Sequence, residues 1–135
     1  MNRLKVQLRF NDIDILGHLN NTVYFSLYDL GKARYMEEAG LRDPGPTPPS
    51  SVIADVHCTY VKPIHYGDDI YVHTRCTEIG DKHFVLEQEM VDGDNELRSH
   101  CRTVMVYIDP STGRAAPIPE DFRRKIEIYE KNERI

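Results

Sequence analysis

The chain opens on an alternation. Leu4, Val6, Leu8 and Phe10 are apolar, while Lys5, Gln7 and Arg9 between them are polar or charged. That period of two predicts a half-buried strand. From about Asn20 the period lengthens. Val23, Leu27, Leu30 and Arg34 fall on one helical face, with Tyr24, Tyr28 and Ala33 beside it. The first half of this helix is apolar over most of its circumference, which predicts burial on several sides. Asn20 or Asn21 is a natural N-cap. Gly31 inside the helix costs roughly 1 kcal/mol against alanine and allows close approach to a sheet. Gly40 marks a helix stop. The stretch "RDPGPTPPS", residues 42 to 50, carries prolines and glycine that disfavour regular structure and predict a loop.

The remainder reads as strands. Residues 51 to 62 form the first, and "PIHYGDD" at 63 to 69 breaks the chain with Pro63 and Gly67. Ile70, Val72, Thr74 and Cys76 then alternate with Tyr71, His73, Arg75 and Thr77. A hairpin turn around Gly80-Asp81 leads into a strand over 83 to 91, and "DGDN" at 92 to 95 turns into a last strand over 96 to 108. After "DPSTGR", Pro119 opens a short amphipathic helix with Phe122, Ile126 and Tyr129 on one face. The order is strand, long helix, loop, four strands that pair antiparallel through short turns, and a short helix. One long helix against a curled antiparallel sheet is an α+β architecture, and 135 residues fit one domain over 1–135. The last strand is largely apolar on both faces, since Val104, Val106 and Ile108 lie opposite Thr103, Met105 and Tyr107. It predicts association through that strand as a symmetric homodimer or a homotetramer built as a dimer of dimers.

Composition narrows the function. Hydrophobic residues are 40% and charged residues 29%, ordinary for a soluble chain. A net charge of -5 argues against nucleic acid as a partner. No apolar run approaches the roughly 20 residues of a membrane helix, and the alternating N-terminus is unlike a signal peptide, so the expected location is cytoplasmic and away from the membrane. Cys58, Cys76 and Cys101 are odd in number and widely spaced, which suits buried free thiols better than a disulfide framework or a zinc site.

Several familiar sites are absent: there is no GxSxG, no P-loop, no GxGxxG and no HExxH. Asp12 and Asp14 share a face only if their segment is extended, and two carboxylates are a weak cation signal. What stands out is "NDIDILGHLNNTVYF", residues 11 to 25. It places carboxylates just before a helix N-terminus, where unpaired backbone N–H groups and a partial positive charge reside. A carbonyl oxygen aimed there is polarised, as in an oxyanion hole. A nearby carboxylate can attack the carbonyl carbon or activate water to do so, and Gly17 would let backbone and substrate approach closely. That combination suits acyl transfer from an activated ester such as a thioester. The same residues also suit simple capping and turn formation.

"DIDILGHLNNTVYF" closely resembles the opening motif of hotdog-fold thioesterases of the 4-hydroxybenzoyl-CoA thioesterase class. The pattern is an aspartate, a glycine three residues on, and a helix carrying an early tyrosine. Arg34 near the helix end, the "P…GD" turn from Pro63 to Asp68 and the closing "DPSTGRAAPIPEDFR" continue it, so the resemblance spans nearly the whole chain. It implies a sheet wrapped around one long central helix, dimerisation, and an active site between subunits. It implies Asp14 as nucleophile or general base and amides around Asn21, Thr22 and Val23 as the holders of the thioester oxygen. "GHLNN" is similar to the "HVNN" of acyl-CoA and plant acyl-ACP thioesterases, which brings in His18 and Asn21. Leu16 stands where the plant enzymes carry a functional asparagine, and Asn21 where a bacterial branch carries histidine.

CoA phosphates need basic partners, and the resemblance points to the hairpin with Lys82 and His83; Lys62 and Arg75 are further candidates. Tyr24, Phe25, Tyr28 and Met36 would shape the acyl tunnel. The expected function is hydrolysis of an acyl-CoA to free acid and CoA, with no metal and no cofactor beyond the CoA of the substrate. The rivals are an acyl-ACP thioesterase of the same fold and a non-catalytic acyl-thioester binding module.

Overall fold

The computed structural model describes residues 2–42 and 50–133. The expected loop at 42–50 lies, but for its two ends, outside the described residues. The elements run β1 (Asn2–Val6), a 3-10 turn (Phe10–Asp12), α1 (Asn21–Glu38), β2 (Ser51–Tyr60), β3 (Ile70–Ile79), β4 (His83–Asp92), β5 (Leu97–Tyr107) and α2 (Glu120–Glu133). The five strands form one antiparallel sheet in the order β1-β3-β4-β5-β2. It curls around α1, with α2 packed on the core at the C-terminal half of that helix, which is the α+β hotdog architecture.

The expected first strand is too long. β1 ends at Val6, which pairs with Ile70 at the start of β3, so among the described residues the ladder stops there. Asp12 then competes for the chain. Its Oδ2 accepts the Arg9 backbone N–H at 2.9 Å and turns the segment, leaving Phe10 77% exposed against the edge of Tyr66.

The buried stripe of α1 is also rotated from the expected face. Tyr24, Leu27, Tyr28, Gly31, Tyr35 and Met36 are buried, whereas Leu30 is 54% exposed and Arg34 faces solvent. The reason is the crossing point. A Cβ on Gly31 would sit 2.7 Å from Val72 Cγ1 and 2.8 Å from Gln88 Nε2, so the helix backbone lies directly on β3 and β4 at that residue. Gln88 Nε2 donates to the Tyr28 carbonyl at 2.9 Å and to Thr74 Oγ1 at 3.0 Å, satisfying a buried amide where helix meets sheet. Tyr24, Tyr28, Gly31 and Tyr35 follow the spacing of a helical stripe centred on this contact.

Two core clusters lie along α1. One gathers Tyr24, Leu27, Tyr28, Ile64, Val72 and Met90 at its N-terminal half; the other gathers Tyr35, Met36, Phe84, Met105, Phe122 and Ile126 under α2. As expected, Phe122 and Ile126 are the buried face of α2. β5 is paired on both sides, with β4 and β2, so it offers no free edge. The open edge beside it belongs to β2, where Val52 and Ile53 are exposed.

Candidate active site

Residues 10 to 20 fold into a hook in front of α1. An isolated bridge pairs Ile13 with Leu19, and the Leu19 N–H donates to the Ile64 carbonyl at 2.7 Å. The hook is therefore tied to the 63–69 turn. That turn is itself clamped: Arg98 reaches Asp92 Oδ2 at 3.0 Å, Asp68 Oδ2 at 3.0 Å and the Pro63 carbonyl at 2.8 Å. Burial works to raise the Asp68 carboxyl, but the His65 N–H and the Arg98 guanidinium outweigh it and hold it below its usual range. The "P…GD" turn is thus a structural clamp that sets the level of the hook.

Inside the hook Asp14 organises its own loop. Its N–H donates to the His18 carbonyl at 2.9 Å, and its carbonyl accepts the Gly17 N–H at 3.0 Å. Its Oδ1 accepts the N–H of Leu16 at 2.9 Å and of His18 at 3.4 Å. Among the described residues Oδ2 has no partner. Gly17 sits at φ +80 with nothing near its missing Cβ. It makes the left-handed turn that glycine favours, with open space where a side chain would stand. Asp12 does not join Asp14. It is buried and turned back onto Arg9, whose Nη2 lies 3.1 Å from Oδ1. Among the described residues no three His, Cys, Asp or Glu side chains gather where a metal ion would be held.

The start of α1 leaves one donor open. Asn20 is the N-cap, with its N–H on the Asp12 carbonyl at 2.8 Å. Its Oδ1 accepts the Thr22 N–H at 3.0 Å and the Thr22 hydroxyl at 2.8 Å. The Val23 N–H donates to the Asn20 carbonyl at 2.9 Å. Of the three amides expected to hold a substrate oxygen, those of Thr22 and Val23 are already engaged, and the Asn21 N–H is the one without a partner among the described residues.

Asp14, His18, Asn21 and Tyr24 line one cleft of about 350 Å³, closed on its far side by Tyr60, Val61, Lys62 and Pro63 at the end of β2. The Tyr24 and Tyr60 rings meet edge to face at 4.7 Å between centroids, and the Tyr60 hydroxyl donates to the Asn21 carbonyl at 3.4 Å. Burial raises both phenols, which keeps them protonated. The His18 ring stands edge-on to His65 at 5.1 Å. Beneath the cleft the Tyr28 hydroxyl donates to Ser99 Oγ at 2.8 Å, and Ser99 Oγ donates to the Thr59 carbonyl at 2.9 Å. The tyrosine wall was legible only as strand periodicity. Val56, Cys58 and Tyr60 alternate toward the sheet's inner face until Pro63 ends the run.

Lys82 and His83 are not part of this cleft. They occupy the β3–β4 hairpin, where His83 Nε2 lies 3.0 Å from Glu78 Oε2. His83 is seven residues along β4 from Met90, which pairs with Ser99 beside Tyr60. That places the hairpin about 23 Å away at about 3.3 Å per residue. Lys62 lies at the cleft mouth and forms an ion pair with Glu96, Arg34 pairs with Glu38 at 3.5 Å, and Arg75 lies on the other sheet face.

A hook whose Asp14 shares one cleft with Asn21 at the helix start, within a sheet curled around a long helix, is the arrangement of a known class of protein. Residues 8–126 match the model of the thioesterase-like superfamily, and the chain belongs to that family. Its structure is similar to a Thermus thermophilus thioesterase complexed with coenzyme A and Zn. The TM-score is 0.84 and the identity 31%, over 96% of this chain and 94% of that one. It is equally similar to a protein of Bacillus stearothermophilus described as a predicted thioesterase, with TM-score 0.84 and 26% identity over 93% of each chain. In sequence it resembles the uncharacterized protein YsmA of Bacillus subtilis, 23% identical over 82% of this chain and 75% of that protein.

Proposed function

We propose that this protein hydrolyses an acyl-CoA thioester to the free acid and CoA. The observation that carries the reading is that Asp14 and Asn21 line one cleft, with Asp14 Oδ2 and the Asn21 N–H each lacking a partner among the described residues. The thioester carbonyl oxygen accepts the Asn21 N–H at the positive end of α1, where charge developing on that oxygen is stabilised. Asp14 Oδ2 takes a proton from water, whose oxygen attacks the carbonyl carbon, or attacks that carbon itself. When water attacks, the C–S bond breaks to give the free acid, and the thiolate leaves with the proton that Asp14 took. When Asp14 attacks, the C–S bond breaks to leave an acyl anhydride on Asp14. Water hydrolyses that anhydride to the free acid and the Asp14 carboxylate, the water's proton going to the thiolate. His18 and Asn21 support the geometry of the hook and helix start, while Thr22 and Val23 complete the cap that aims the amide. No metal takes part.

CoA as the carrier is supported by the Thermus relative, which binds coenzyme A. Lys82 and His83 are out of reach of the cleft in their own chain, so their part in holding CoA phosphates calls for a second copy. The protein works as a homodimer or a homotetramer, and the open edge of β2 offers the pairing surface that β5 lacks. The cytoplasm, without membrane or nucleic-acid contact, is the setting for this activity.

The test is free-thiol release from a series of acyl-CoAs of rising chain length and one aromatic ester, with the same acyl groups on acyl carrier protein as competitors. Turnover on CoA substrates supports the reading and names the acyl class. Turnover confined to carrier-protein substrates moves the activity to the acyl-ACP rival. Tight binding with no release identifies a binding module and contradicts hydrolysis.

A further inference from the structure

Three cysteines are free in this structure, and they differ in setting. Cys76 is buried on β3, and burial pushes its thiol up to about 12; it pairs with Leu86 of β4, two strands from β5. Cys58 and Cys101 stand directly opposite each other where β2 pairs with β5. Directly opposed residues of an antiparallel pair have Cα atoms about 4.5–5.5 Å apart and side chains on the same face. Disulfides span Cα separations of about 4.4–6.8 Å, so the ladder already holds the two cysteines at bridging distance. Both side chains turn to the inner face, Cys101 within the N-terminal core cluster and Cys58 packed against it.

The pair sits under the cleft. Cys58 Sγ lies 3.5 Å from Ser99 Oγ, the hydroxyl that accepts from Tyr28 and donates to the Thr59 carbonyl. Tyr60, which walls the cleft, is two residues on from Cys58 along β2. The two thiols are unequal. Cys101 is 2% exposed. Burial raises its thiol, Thr103 and Lys32 draw it back, and the Cys58 sulfur beside it raises it again. Cys58 is half-buried on the edge strand of the sheet. One accessible thiol beside a buried one is the arrangement of an attacking and a resolving cysteine.

We propose that Cys58 and Cys101 are a reversible thiol pair that a peroxide closes into a β2–β5 disulfide beneath the cleft. The Cys58 sulfur attacks one peroxide oxygen, forming an S–O bond and breaking the O–O bond. The departing oxygen takes the thiol proton and leaves as water. The Cys101 sulfur then attacks the sulfenic sulfur, the S–S bond forms, and the hydroxyl leaves as a second water with the Cys101 proton. Each sulfur gives up one electron and the peroxide takes two. The bridge draws Cys58 off Ser99 and ties the edge strand that carries Tyr60, Val61 and Lys62 to β5, so the cleft wall loses mobility. A small thiol reverses it by exchange.

The experiment counts thiols, so it stands apart from whether the protein is a thioesterase. Reduced, folded protein is exposed to hydrogen peroxide, quenched with catalase, denatured and alkylated with N-ethylmaleimide, and read by intact mass and peptide mapping. The reduced chain takes three adducts, matching its cysteines. The oxidised chain is expected to take one, at Cys76, and to yield a linked peptide holding Cys58 and Cys101. Dithiothreitol restores all three, and amide exchange across residues 57–61 slows in the oxidised form. The Cys58→Ser and Cys101→Ala variants, checked for folding by circular dichroism, are each expected to give no linked peptide. Three adducts after peroxide, stepwise oxidation of Cys58 with no link, or a link between two chains overturns the proposal.

Discussion

The two ends of α1 are built on opposite rules. At its C-terminal half the polar groups are closed on one another. The Tyr35 hydroxyl donates to Glu130 Oε2 at 2.5 Å, and the same oxygen accepts the Cys76 N–H at 2.9 Å. Glu38 Oε2 accepts from Asn2 at 2.9 Å and from Tyr129 at 2.7 Å. These bonds fasten α1 to α2, β1 and β3. At the N-terminal end the cap is deliberate but incomplete, for the Asn21 N–H and Asp14 Oδ2 stay open to a cleft. One helix thus carries an anchor and a site, and Gly31 between them sets how closely both ends lie on the sheet. A helix whose ends were equally satisfied would be more stable and have nothing to offer a carbonyl oxygen.

The most damaging change should act on both ends at once. Gly31→Val puts a branched side chain where even a Cβ would lie 2.7 Å from Val72 Cγ1. Overpacking of that kind costs about 1–3 kcal/mol or more; denaturant titration should show a fall at the top of that range or failure to fold. A stability unchanged from wild type would remove Gly31 as the pivot. Next in size is Arg98→Met, which strips the clamp from Asp68 and Asp92 and loosens only the site end. Hydrogen bonds to charged groups contribute roughly 1.5–3 kcal/mol, so a loss of about 2 kcal/mol is expected, with faster amide exchange in residues 63–69 and little change around α2.

The same clamp fixes the sign of the acid response. Burial opposes ionisation of Asp68, yet its lowered carboxyl is held by His65 and Arg98. Asp92 is lowered too, first by the Glu96 N–H and then, against some desolvation, by Arg98 and the Asp94 N–H. Their contribution is fully present above the ordinary carboxylate value of 3.8 and is lost as pH falls through the lower folded values. Acid unfolding followed by fluorescence should therefore begin at higher pH in Arg98→Met than in wild type. An identical acid midpoint would show that the clamp is not linked to folding. The smallest effect belongs to Asn20→Ala, expected at about 1 kcal/mol for a lost N-cap. It also frees the Thr22 amide beside Asn21 and so should disturb turnover more than its stability cost implies.

Much of this was legible in the sequence, for identifiable reasons. Alternation placed β3, whose inner residues Val72, Thr74 and Cys76 are buried as the period requires, and the turns at Gly80-Asp81 and 92–95 bounded β4 and β5. The spacing from Asp14 through Gly17 to Asn21 located the hook and the helix start. What local pattern could not give was set by distant partners. The first strand stops where β3 begins rather than where alternation ends. The buried face of α1 follows the contact at Gly31 rather than the largest apolar count. Sequence pattern set Asp12 beside Asp14 as a second carboxylate before the helix, and gave no sign that Arg9 holds it away. Lys82 and His83 carry no sign in sequence of lying at the far end of the sheet.

The most direct test of the division between site and anchor is a paired measurement on Asp14→Asn and Tyr35→Phe, each assayed for acyl-CoA thiol release and for thermal unfolding. Asp14→Asn keeps a carbonyl oxygen to accept the Leu16 and His18 amides while removing the charge, so turnover should fall about 100-fold or more with the midpoint nearly unchanged. Tyr35→Phe removes a hydroxyl from Glu130 and should lower stability by about 1–3 kcal/mol while folded protein retains wild-type turnover. Wild-type turnover in folded Asp14→Asn, or loss of turnover in folded Tyr35→Phe, would contradict the account.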